Sequence, residues 1–196
     1  HSMGLRTFPL LWEDDAVSCE TTQRCLLPRL RALAADSNLR ADVVADIVRA
    51  CVEQGHVGMM VDFETHETVT SADQAAFAVF VKELTAGMHK VGKIVSITVS
   101  PGKPIYDMAS IVAARPDELQ NFGTYADDFA LFTEKLDATL KYAPAVYGPT
   151  GVVTDMGLKS RHSNFSHDEL QERFDAAYAA NISSLVIWVN QEPVKT

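Results

Sequence analysis

Val57-Gly58-Met59-Met60-Val61-Asp62-Phe63-Glu64 is a short apolar run that ends in two carboxylates. A run of this length suits a strand buried on both faces, as in a parallel sheet. Side chains alternate along a strand, so Asp62 and Glu64 point the same way. His66 continues that phase if the strand runs on. A buried strand that delivers two acids to one side at its C-terminal end is where barrel enzymes carry their chemistry. Taken alone, D-x-E is better read as a solvated strand end, and it is the surrounding sequence that shifts the reading.

Upstream, Thr7 to Trp12 reads as a first strand with Glu13-Asp14-Asp15 at its C-terminal end. Cys19 to Ala35 is helix-like, with Pro28 expected to break or kink it. Asp36 or Ser37 caps a second helix whose apolar positions are Leu39, Val43, Ile47, Val48 and Cys51, stopped at Gly55. Downstream, Ser71-Ala72-Asp73-Gln74 reads as a capping box. It opens a helix with the stripe Phe77, Phe80, Val81, Leu84 and Met88, ended by Gly92. Ile94 to Ser100 is a β-branched strand. Tyr106 to Ala114 is a short helix limited by Pro116, and Leu119 to Tyr125 a weaker strand. Asp127 or Asp128 opens a helix carrying Phe129, Phe132, Leu136 and Leu140. Gly151 to Thr154 is a further strand. A capping box at Ser166–Glu169 starts a helix with Leu170, Phe174, Ala177 and Tyr178 facing inward, and Ser184 to Val189 is the last strand.

Strand and helix alternate throughout, which argues for parallel strands joined by crossovers. Six strands are expected, whereas a complete eightfold barrel usually takes about 250 residues. The pattern therefore suits an open doubly wound sheet or a barrel short of two βα units. The chain has 196 residues, enough for one globular domain over residues 5–196, with residues 1–4 reading as a cloning remnant. Formal net charge is −9, from 17 basic and 26 acidic residues, and no Lys/Arg cluster stands out. Nucleic acid and anionic membrane are thereby disfavoured as partners. No apolar run approaches the ~20 residues of a membrane span. Cys19, Cys25 and Cys51 match no zinc spacing and read as free or buried thiols. No cofactor is expected.

Four segments, in order, carry a family pattern: the D-x-E strand, S-I-T-V-S-P at Ser96–Pro101, N-F-G-T-Y-A-D at Asn121–Asp127, and L-V-I-W at Leu185–Trp188. Together they resemble the family 18 glycoside hydrolases, the chitinase-like (β/α)8 TIM barrels, and are closest in look to the chitobiase branch. The resemblance runs from about Leu39 to Asn190. It implies an α/β TIM-barrel-related fold lacking the first two βα units, with about six parallel strands. It also implies a glycosidase of N-acetylglucosamine-containing glycans of the chitooligosaccharide type. Glu64 matches the family's general acid, and Asp62 the carboxylate that steadies the 2-acetamido group. Tyr125 matches the tyrosine that hydrogen-bonds the acetamido oxygen, and Trp188 the tryptophan that floors the sugar subsite. Asp127 and Asn190 are further candidates for substrate binding. A secreted or lysosomal location follows if the resemblance holds, and oligomerisation is one way to complete a short barrel.

Family 18 enzymes lack a protein nucleophile; the substrate's own N-acetyl oxygen attacks the anomeric carbon. The protein has to supply an acid, a charge, a hydrogen-bond donor and an apolar platform. Glu64, Asp62, Tyr125 and Trp188 are one candidate for each. The chain departs from the family's D-G-x-D-x-D-x-E strand at Val57 and Met60, where acids are usual. Without an acid at position 60, Asp62 loses the neighbour with which it would share charge and protons. A catalytically impaired, carbohydrate-binding relative is therefore the alternative. A third reading takes Asp62, Glu64 and His66 as a D-x-E-x-H site for Mg²⁺, Mn²⁺ or Zn²⁺, completed by Asp127 or Asp155.

Overall fold

A computed structural model describes residues 9–14, 26–65, 67–124, 126, 128–142, 152–157, 165–182 and 184–188, with the backbone alone for 12–14, 152–157 and 184–188. The chain divides into two compact units: residues 1–98 with 102–118, and residues 99–101 with 119–196.

In the first unit, β1 (Leu10–Asp14), β2 (Gly58–Glu64) and all but the last residue of β3 (Ile94–Val99) follow one another in sheet order, with β2 parallel to both neighbours. Helices α1 (Leu26–Ala35) and α2 (Ser37–Glu53) join β1 to β2, and α3 (Ser71–Lys90) joins β2 to β3. The expected stripe of α3 is buried at all five positions. Two of its members receive Phe63: the Phe63 ring stacks on Phe80 at 5.7 Å and lies 5.8 Å from Phe77. The odd positions of β2 thus face the helices. The pleat then turns Met60, Asp62 and Glu64 to the opposite face.

Several local expectations need correction. The first strand runs to Asp14 rather than ending at Trp12, because its backbone stays in register with β2 as far as Asp14 opposite Glu64. Pro28 neither breaks nor kinks a helix. It lies in the first turn of α1, where its missing N–H would have had no intrahelical partner. The capping box of α3 is Thr70 with Asp73, one residue earlier than Ser71 with Gln74, since the Thr70 hydroxyl faces the Asp73 N–H. In α2, capped by Asp36 as expected, Leu39 is exposed and Val44 takes a buried place. Gly55 and Gly92 end α2 and α3 at φ 71° and 69°. The short helix α4 is Met108–Ala113, with Asp107 at the N-cap position making no side-chain cap bond, so Tyr106 stands outside it.

The second unit holds most of β4 (Glu118–Asn121), then β5 (Val152–Gly157) and β6 (Ser184–Trp188), with β5 parallel to both neighbours. β4 is shorter than the expected strand to Tyr125. The chain turns into a 3₁₀ segment at Phe122–Thr124, where the Thr124 hydroxyl donates to the Asn121 carbonyl. Helices α5 (Phe129–Leu140) and α6 (His167–Ala179) enclose a core of Ala126, Phe132 and Leu136. Tyr178 does not face inward; it is 86% exposed. Arg173 takes the buried place instead, its guanidinium 4.1 Å from the Phe165 ring and 5.7 Å from Phe132, with Nη1 donating to the Glu169 carbonyl at 2.9 Å. Among the described residues no helix is long and apolar enough to cross a membrane.

Candidate active site

The site starts from the pleat of β2. Asp62 is buried, 6% exposed, whereas Glu64, two residues further on, reaches the strand's C-terminal rim with a quarter of its side chain exposed. The register with β3 places Met60 beside Ser96, and the next step along the same face reaches Thr98. Both β3 hydroxyls are buried. This face of the first unit is therefore polar inside, unlike the helix-facing side carrying Val95 and Ile97.

Residues 102–106 bring Lys103 and Tyr106 to the C-terminal end of β2. Tyr106 is buried, and its hydroxyl donates at 2.8 Å to the carbonyl of Phe63, the residue between Asp62 and Glu64. Its ring packs edge-on against Phe77 at 6.2 Å. Burial, then the charges of Asp62 and Glu64, pushes the Tyr106 hydroxyl well above its ordinary pKa. Tyr106 thus stays a neutral donor beside two acids. Lys103 ion-pairs with Glu64 Oε2. At the foot of the same face, burial is the largest cause that raises the pKa of Glu118, and Asp117 adds to it, against the smaller opposing influence of the nearby Ser96 hydroxyl. Glu118 opens β4, the end of a barrel strand associated with stability rather than chemistry.

Of the residues picked out from sequence, Asp62 and Glu64 are brought to one face. Trp188 is the last residue of β6, with only its backbone described. Tyr125, Asp127, Asn190 and His66 lie outside the described residues. Cys51 is a free, buried thiol, and Cys19 and Cys25 lie outside the described residues. Among the described residues no three metal-ligating side chains gather. The Lys103 ammonium on Glu64 is an adverse neighbour for a divalent cation, so D-x-E-x-H gains no support. Sequence reasoning missed Lys103, Tyr106 and Glu118. The signal for the first two was their place in Pro101-Gly102-Lys103-Pro104-Ile105-Tyr106, directly after a strand, where barrel loops reach the site.

No family model matches the chain, and no curated protein does. Solved structures do. A class V chitinase from Pseudomonas fluorescens Pf-5 matches with 22% identity and a TM-score of 0.57, over 80% of this chain and 51% of that one. The spore cortex-lytic enzyme SleL of Bacillus megaterium QM B1551 matches with 12% identity and a TM-score of 0.60, over 81% and 51%. A mutant of the Ostrinia furnacalis group II chitinase catalytic domain 2, solved with an N-acetylglucosamine oligomer, matches with 18% identity and a TM-score of 0.50, over 65% and 41%. The likeness does not single out the chitobiase branch. The chain has the α/β, TIM-barrel-related fold of the chitinase-like, family 18 glycosylase structures and spans about half the length of the first two.

Proposed function

We propose that this chain carries the acid half of a glycosidase site for N-acetylglucosamine-containing glycans, working by substrate-assisted hydrolysis with retention. The observation that carries the reading is the placement of Asp62 and Glu64. They share one face at the C-terminal end of a parallel strand, the inner one buried and the outer one at the rim. Glu64 gives its proton to the leaving glycosidic oxygen as the substrate's acetamido oxygen closes on the anomeric carbon. Asp62 holds the acetamido group and offsets the positive charge of the oxazolinium. Water, deprotonated by Glu64, then opens that ring, restoring the acid and retaining configuration. Tyr125, Trp188, Asp127 and Asn190 are proposed as the remaining contacts to the sugar.

A second reading, a glycan-binding relative without turnover, is favoured by two observations. Met60 stands on the same face, where an acid would couple to Asp62. The Lys103 ammonium sits on the Glu64 oxygen that would carry the proton. The experiment is hydrolysis of a fluorogenic chitobioside by the wild type and by Glu64→Gln. The glycosidase reading expects release by wild type and a loss of about 10²–10⁴-fold in the variant, with binding of chitooligosaccharide kept. Binding without release by either protein, followed by tryptophan fluorescence, selects the second reading. Equal release by both would remove Glu64 from the chemistry.

A further inference from the structure

The contact between Lys103 and Glu64 is not required by glycan chemistry, and the backbone around Lys103 is restrained from both sides. Gly102 holds φ +97°, a conformation that L side chains rarely adopt, with open space where a Cβ would stand. Backbone strain alone, not crowding, thus selects glycine there. On the other side, the Tyr106 N–H donates to the Lys103 carbonyl at 3.1 Å, and Gln74 Nε2 donates to the Pro104 carbonyl at 2.7 Å. The loop is tied to the start of α3 and, through the Tyr106 hydroxyl, to the Phe63 carbonyl. From this fixed base a four-carbon arm with rotatable bonds carries the ammonium onto Glu64 Oε2.

We infer that Lys103 is a positioning residue that latches Glu64 in the glycan-free protein and withdraws when a glycan enters. The inference rests on the reading of Glu64 as the acid, because a glycosidic oxygen and the Lys103 ammonium compete for the same carboxylate. The latch is weak enough to open. Lys103 and Glu64 are 33% and 25% exposed. Ion pairs open to solvent contribute little, so closing the latch lowers glycan affinity by about fivefold at most.

The test reads the lysine directly. Lys103 is acetylated with acetic anhydride at fixed pH and quantified by peptide mass spectrometry, with and without saturating N-acetylglucosamine tetramer. Tetramer affinity is measured in parallel by tryptophan fluorescence for wild type, Lys103→Met, Lys103→Arg and Glu64→Gln. The latch expects severalfold faster acetylation of Lys103 in Glu64→Gln, and a comparable rise in wild type when the tetramer binds. It also expects Lys103→Met to bind the tetramer up to about fivefold more tightly, while Lys103→Arg, which keeps the charge, stays at the wild-type affinity. Tetramer binding that leaves Lys103 acetylation unchanged or lowered overturns the latch and leaves the glycan reading standing. Lys103→Arg behaving as Lys103→Met would assign the effect to the packing of the stem and also overturn it. No binding by any of the four proteins removes the glycan reading and the latch together.

Discussion

Glu118 shows how a single residue on the polar face acts on stability. Burial favours its neutral form and Asp117 adds to that, so its folded-state pKa lies above the unfolded value of about 4.3. Below that value the group is protonated in both states and costs nothing. As pH rises through it, the unfolded chain ionises first and stability falls, until the folded value is also passed. At neutral pH the side chain is therefore a burden that glutamine would not carry. Glu118→Gln is expected to stabilise the protein by about 1 kcal/mol at pH 7 and by little near pH 4. Urea denaturation at the two pH values checks this, and equal effects at both would show that ionisation is not the cause. Tyr106 belongs to the same scale: it is buried, and burial together with the nearby acids keeps its hydroxyl neutral.

At the scale of elements, the N-terminus of α3 joins capping to tertiary packing. Asp73 accepts from the Thr70 N–H and hydroxyl at 2.9 and 2.7 Å, and from Arg31 of α1 at 2.7 and 2.9 Å. The Arg31 hydrogen bond is the largest cause holding the Asp73 carboxyl well below the usual range, with the Thr70 bonds adding to it. A depressed folded pKa stabilises above the unfolded value of about 3.9, and that stability is lost as pH falls towards the folded value. Asp73 is 2% exposed but Arg31 is 52% exposed, so solvent screening discounts the pair. Asp73→Asn is expected to cost about 1–3 kcal/mol at pH 7, with the gap to wild type narrowing steadily as pH falls below the unfolded value of about 3.9. A cost independent of pH would place the effect in packing rather than charge. The same helix supplies Phe77 and Phe80, so the cap, the core and the orientation of Phe63 belong to one element.

For the whole molecule, a bound glycan has to show as added stability, because a ligand that binds only the folded state stabilises it by mass action. At about 100 times Kd the gain is about 2.7 kcal/mol. For a chain of 196 residues that corresponds to a rise in Tm of about 5–10 °C. Differential scanning calorimetry with N-acetylglucosamine tetramer measures it, and an unchanged Tm would speak against both glycan readings. This readout needs no turnover, so it reports on the fold's capacity to bind even if the site does not cleave.

The alternation of strand and helix was legible because each element carries its own periodicity. The stripe of α3 repeats at helical spacing, and the β-branched run at Ile94–Val99 has no helical reading of comparable strength. Asp62 and Glu64 on one face follow from the two-residue period alone. What local pattern could not decide were choices between near-equivalent partners. Thr70 or Ser71 could cap α3, and the hydrogen bond with Asp73 chose Thr70. Tyr178 or Arg173 could face inward from α6, and the Phe132 and Phe165 rings chose the arginine, whose charge reads as exposed in sequence. Lys103, 39 residues from Glu64, meets it only because α3 returns the chain to β3 and the Gly102 turn aims it back over β2. Sequence by itself determined the order of elements and the face on which the two carboxylates stand, since both depend on contacts a few residues apart. The tertiary structure alone decided which groups surround those carboxylates, because charge, burial and hydrogen bonding at the site come from residues that only folding makes neighbours.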